Sequence, residues 1–110
     1  MKSATASVIV FCTIPDEQKG AELARLLVES KVAACASIVP HIRSIYAWKG
    51  KTCDEAEALM ILKTRSSLLP RLEKEIRAHH PYDVPEIVAF DIAASHEPYL
   101  EWLLANTLDE

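Results

Sequence analysis

The sequence predicts an α+β fold: a ferredoxin-like β-α-β-β-α-β sandwich with a C-terminal helix and a long hairpin between its second and third strands. Three observations lead there. Apolar β-rich runs and helical periodicities alternate in that order. No internal repeat or low-complexity linker divides the 110 residues, a length that suits one domain spanning residues 1–110 around one core. The two middle strands continue through a Pro-interrupted bend, which makes their hairpin too long to lie within a small sheet.

Residues 1–6 read as a loose N-terminal tail. Val8-Ile9-Val10-Phe11-Cys12-Thr13-Ile14 follows, apolar on both faces and β-rich, as a central strand reads. Pro15 ends it. Asp16 and Glu17 open a helix, where negative charge suits the free N–H groups. Ala21, Leu23, Ala24, Leu27 and Val28 form its apolar face, and it runs to about Lys31. A second strand covers Ala33 to Val39, Pro40 imposes a bend or bulge, and the strand resumes from Ile42 to Trp48. Gly50 supplies the turn, and Ala56 to Lys63 returns as the third strand. Ser66 or Ser67 caps a second helix that tolerates Pro70 in its first turn. Leu68, Leu69, Leu72 and Ile76 face its core side, and Glu73 with Arg77 makes an exposed pair at spacing four. His79-His80-Pro81 ends that helix. Ile87 to Ile92 is the fourth strand. Ser95 caps a last helix with Tyr99, Leu100, Leu103 and Leu104 on its apolar face. Right-handed crossovers give the spatial strand order fourth, first, third, second. The end of the first strand then lies beside the start of the fourth, which brings Cys12 toward the His79 to Pro85 turn and leaves Cys35 toward the other end of the sheet.

Composition narrows the function. The net charge of −4 comes with no basic run, which disfavours nucleic acid and anionic membranes, whose binding needs cationic surface. No apolar run approaches the ~20 residues of a membrane-spanning helix. The N-terminus lacks the pattern of a signal peptide, so the chain reads as cytoplasmic. Cys12, Cys35 and Cys53 are odd in number and widely spaced, and in a reducing compartment they are expected as thiols.

The chemistry-bearing stretch is His79-His80-Pro81-Tyr82-Asp83-Val84-Pro85-Glu86. With Cys12 beside it, one thiol and two imidazoles form a candidate metal site. Sulfur with imidazole suits copper or zinc rather than magnesium or calcium, and Glu86 offers a carboxylate. A plainer reading stands beside it. Histidines in a last helical turn complement the helix dipole, a strand thiol packs as a small residue, and adjacent helical side chains diverge by about 100°. His41 and His96 read as loop and first-turn residues. Tyr46, Trp48 and Tyr82 suit a binding platform or an interface. Asp83 and Glu86 read as turn and strand-start residues rather than an acid–base pair. No nucleophile–base pair, phosphate loop or dinucleotide fingerprint is present, so an enzyme is not expected.

Several stretches together carry a resemblance: Ala33-Ala34-Cys35, Ser44-Ile45-Tyr46 with Trp48, Gly50 and Lys51, Leu62-Lys63-Thr64, His80-Pro81-Tyr82-Asp83-Val84-Pro85-Glu86-Ile87, and Tyr99-Leu100 with Trp102. Over nearly its whole length the sequence resembles the CutA family of divalent-cation-tolerance proteins, in its bacterial, cytoplasmic form. The resemblance implies a homotrimer whose hairpins pair between subunits, which agrees with the hazard of a long unpaired strand edge. It also implies copper binding, in some members, at the positions of Cys12, His79 and His80. The sequence departs from the family in three ways. Many members lack a cysteine at position 12, glycine is common where His41 stands, and Ala47 replaces a usual aromatic. The expectation is therefore a cytoplasmic trimer that binds copper, or zinc, in divalent-cation tolerance. The alternative, by analogy with trimeric nitrogen-regulatory signal proteins, is a signalling or scaffold trimer whose inter-subunit clefts take a small ligand or partner.

Overall fold

The computed structural model describes residues 1–109. In chain order the elements are β1 (Lys2–Ser3), β2 (Ser7–Ile14), α1 (Glu17–Glu29), β3 (Cys35–Trp48), β4 (Lys51–Arg65), a 3-10 turn (Ser66–Leu68), α2 (Leu69–His79), β5 (Val88–Asp91), β6 (Ala94–Ser95) and α3 (Glu97–Ala105). The four main strands lie in the order β3-β4-β2-β5, every neighbour antiparallel. This is the ferredoxin-like order expected from right-handed crossovers.

Alternation along the strands divides the sheet into two unlike faces. Val8, Val10, Cys12 and Ile14 of β2 join Ala58, Met60 and Leu62 of β4 beneath Leu23, Ala24 and Leu27 of α1 and Leu72 and Ile76 of α2. This is the core. Gly20 of α1 lies close to the sheet: a Cβ there would stand 3.3 Å from Ile14 Cγ2. The other face carries Ile9, Phe11, Leu59 and Ile61, all half-buried, with Val39, Val88 and Phe90, all exposed. Helix α3 reaches that face at one end only, where Tyr99 Oη lies 3.7 Å from Cys35 Sγ and the Arg65 guanidinium donates to the Leu104 carbonyl at 2.7 Å.

Most element boundaries have a local cause. Asp16 caps α1 by accepting from the Lys19 N–H at 2.8 Å, and Lys31, at φ 61°, ends the helix in the left-handed conformation. The bend at Pro40 is a register shift between Val39 and Ile42, taken up by His41 at φ 58°. Lys49 and Gly50, both at positive φ, form the two-residue turn that matches hairpin twist. The resulting two-stranded arm makes the molecule 44 Å long against 25 and 22 Å across.

Several expectations give way. Lys2 and Ser3 are not a loose tail. They pair with Ser95 and Ala94, and Ala4 is buried. Ser95, engaged in β6, does not cap α3; His96 occupies the cap position without a side-chain bond. Neither Ser66 nor Ser67 caps α2, because a 3-10 turn precedes it, and Ser66 Oγ donates instead to the Ala6 carbonyl. On α1 the buried stripe is Gly20, Leu23, Ala24 and Leu27, while Ala21 and Val28 are exposed. On α2 the approach at spacing four is Glu75 to His79, at 3.9 Å, and among the described residues Glu73 and Arg77 form no ion pair. Tyr99 of α3 is exposed, because Leu100 and Leu103 already fill the contact.

Candidate functional site

The turn after α2 is fastened to β2 by one imidazole. His80 leaves the helix with extended backbone geometry (φ −82°, ψ 137°) while its N–H still bonds the Ile76 carbonyl at 2.8 Å. The ring is 8% exposed. Its Nδ1 accepts from the Tyr82 N–H at 3.1 Å, and its Nε2 lies 2.7 Å from the Thr13 carbonyl. A ring whose Nδ1 accepts must carry its proton on Nε2, so Nε2–H donates to Thr13. Both nitrogens are therefore engaged in holding the turn.

His79 has different surroundings. Its exposed ring lies 3.9 Å from Glu75 Oε2 and borders a cavity of about 360 Å³ against α1, lined by Ile14, Lys19, Leu23, Leu26 and Pro81. Cys12 is fully buried in the helix-covered core. Burial pushes its thiol up to about 12, with the charges of Glu86 and Glu57 adding to the effect. A soft metal needs the thiolate, and this environment opposes it. The expected topology holds, since the turn abuts β2 at Thr13. Yet the three predicted donors do not converge. Among the described residues, no group of three or more His, Cys, Asp or Glu side chains could hold a metal ion. The three cysteines are free thiols.

A second feature lies on the other face and runs along the arm. A cleft of about 630 Å³ is lined by Tyr46, Trp48, Glu57, Tyr82, Asp83 and Glu86, with Thr13 among the remaining residues. Here Glu57 is 5% exposed. Its Oε2 accepts the Tyr82 O–H at 2.7 Å, and burial together with this bond raises the Tyr82 phenol above its ordinary range. Tyr46 O–H donates to Glu55 Oε2 at 3.1 Å, which orients its ring. The aromatic trio read as a platform or an interface is thus gathered around one hollow, and Asp83 and Glu86 stand in the same wall. The sequence reading passed over Glu57. Its signal was a single charge within Ala56-Glu57-Ala58-Leu59, at the position that alternation assigns to the same face as Leu59 and Ile61.

Comparison with known proteins agrees with this geometry. A family model described as CutA1 divalent ion tolerance protein matches residues 8–106, from β2 to just past the end of α3. The divalent-cation tolerance protein CutA of Thermus thermophilus is 43% identical over 99 residues, 90% of this chain and 96% of that protein. The chloroplastic protein CutA of Arabidopsis thaliana is 46% identical over 101 residues, 92% of this chain but 56% of that protein. The chain thus spans a little over half the length of the plant relatives it matches. The crystal structure of CutA1 from Oryza sativa superposes with a TM-score of 0.93 at 44% identity, over 98% of this chain and 100% of that one. With fold, turn and matched span all in agreement, the chain belongs to the CutA1 family of divalent ion tolerance proteins.

Proposed function

We propose that this protein is a cytoplasmic homotrimer that binds divalent cations, copper foremost and zinc second, in a tolerance role without catalysis. The observation that carries the assembly is the uncovered sheet face. Phe11, Leu59, Ile61, Val88 and Phe90 form an apolar surface that the described elements leave largely open, and such surfaces are where chains associate. The arm adds a long strand edge that pairing would protect. The relative from Thermus thermophilus is described as a divalent-cation tolerance protein, which supports the cation half of the reading. The free thiols suit a reducing cytosol.

The metal donors would be Cys12, His79 and His80. His79 is the accessible one. His80 would join by giving up its Thr13 or Tyr82 hydrogen bond, and Cys12 by losing its proton. The site would thus form as the ion binds, and its affinity would fall in acid, where protons compete for imidazole and thiolate. A Cu(II) titration against a competing chelator tests this on wild type, His79→Ala and a Cys12→Ser/His80→Ala double variant that remains folded. Tight binding lost in both variants is expected; equal binding in all three would overturn the assignment.

The cleft favours a second reading, in which the trimer is a signalling or scaffold protein that binds a small ligand and metal is incidental. A hollow of about 630 Å³ with aromatic walls and a buried carboxyl is the form small-ligand sites take. A thermal-shift screen of metal-free protein separates the two readings, because a strong hit without metal favours the second.

A further inference from the structure

We propose that the cleft along the arm binds a small organic cation, an alkyl- or arylammonium, with its charge toward the buried Glu57 carboxylate and its body against the rings of Tyr46, Trp48 and Tyr82. The proposal rests on the ligand-binding reading above and names the ligand class.

The chemistry of the walls selects the occupant. Three carboxylates, Glu57, Asp83 and Glu86, line the cleft, and no lysine or arginine is among its lining residues. That balance repels phosphates and carboxylates and attracts a cation. Glu57 is the decisive group. At 5% exposure it is withdrawn from water, and it holds one phenolic hydrogen bond. No ion pair to it occurs among the described residues. Buried carboxylates are rarely left without a cation. An ammonium group beside Glu57 would supply one.

The geometry argues against a bare metal ion as that cation. The carboxyl groups line one hollow without converging on one point. Their spread suits an ion with a body. The aromatic walls suit one whose body is apolar, because ring faces attract ammonium groups as well as hydrocarbon. Lys49 shows the attraction in weak form, with its Nζ 6.0 Å from the Trp48 ring centroid, at the limit of useful distance. It lies at the arm's tip, outside the cleft.

Trp48 provides the readout. Trp102, the second tryptophan, packs on Tyr99, outside the cleft, so Trp102→Phe leaves a single reporter. Benzyltrimethylammonium would be titrated into the full-length protein in its native assembly, followed by Trp48 fluorescence and calorimetry. Benzyl alcohol serves as the neutral control, benzoate as the anionic one and magnesium chloride as the metal. The expected result is saturable binding of the ammonium, with the three controls weaker by about tenfold or more. Glu57→Gln, which keeps an oxygen for Tyr82, should weaken the ammonium about tenfold at unchanged melting temperature. If that variant fails to fold, Trp48→Leu, checked by sedimentation to keep the wild-type assembly, should produce a comparable loss in calorimetry.

The alternative outcomes separate the claims. Equal binding of benzyl alcohol or benzoate would overturn the cation class and leave a ligand cleft standing. Competition by magnesium at equal concentration would overturn it in favour of a metal. Undiminished binding by both variants would overturn the site. No binding by any probe would overturn this proposal and the ligand reading together.

Discussion

Neighbouring residues of this sheet meet opposite fates. Leu62 is fully buried beneath the helices, while Ile61, one residue earlier, is half-buried on a face that no helix closes. Cys12 lies in the core, and Phe11 beside it faces outward against Phe90, with ring centroids 5.2 Å apart. His80 has both nitrogens engaged, whereas His79 has one long approach to Glu75. In each pair the residues are adjacent in sequence and the direction differs. One face of the sheet is finished by the chain itself. The other is apolar and unfinished, and the candidate ligand cleft lies along it.

The comparison can be broken first at its strongest point. Leu62→Ala opens a cavity under α1 and α2 and should cost about 2–5 kcal/mol in urea denaturation, independent of protein concentration. Ile61→Ala should cost less, and its cost should grow with assembly and so depend on concentration. Equal, concentration-independent losses would erase the distinction between the faces.

The two histidines sharpen it. His80→Gln breaks at least one of two buried hydrogen bonds and should destabilise by about 1–3 kcal/mol. His79→Ala, at an exposed site, should stay within about 0.5 kcal/mol. Thermal melts of the two variants in metal-free buffer check both.

Alkaline pH tests the burial of Cys12. Its folded pKa is raised to about 12 from a reference of 9.0. Above pH 9 the unfolded thiol ionises while the folded one keeps its proton, so the unfolded state binds fewer protons and stability falls as pH rises. The contribution is fully present below pH 9 and declines by up to about 1.4 kcal/mol per pH unit above it. Cys12→Ala should flatten the urea midpoint between pH 9 and 10 relative to wild type. The smallest effect is at His41, whose φ of 58° costs a non-glycine residue about 1 kcal/mol. His41→Gly should raise the melting temperature slightly.

The element order was legible because it rests on periodicity. Val8 to Ile14, apolar on both faces, reads as a strand that wants cover on two sides, and the described residues complete only the helix side. The bend at Pro40 and the turn at Gly50 were legible from single residues with restricted backbones. The caps at Ser66 and Ser95 were misread. Distant segments claimed both residues, Ala6 for the first and Lys2 for the second, and no local pattern reports such claims. The turn around His80 was placed beside β2 by topology alone, but side-chain commitments are tertiary facts. Nothing in His79-His80 says which ring will bond the Thr13 carbonyl. Glu57 was missed because a strand glutamate reads as solvated until its burial and its Tyr82 partner are seen.

The central claim is that the uncovered sheet face is an interface. Sedimentation equilibrium of wild type and Phe90→Glu at micromolar concentration tests it most directly, with circular dichroism as the check on fold. Phe90 is 49% exposed, so the substitution should leave the folded chain intact. The account predicts a trimer for wild type and a folded monomer for the variant. A wild-type monomer, or a variant that remains fully trimeric, would contradict it.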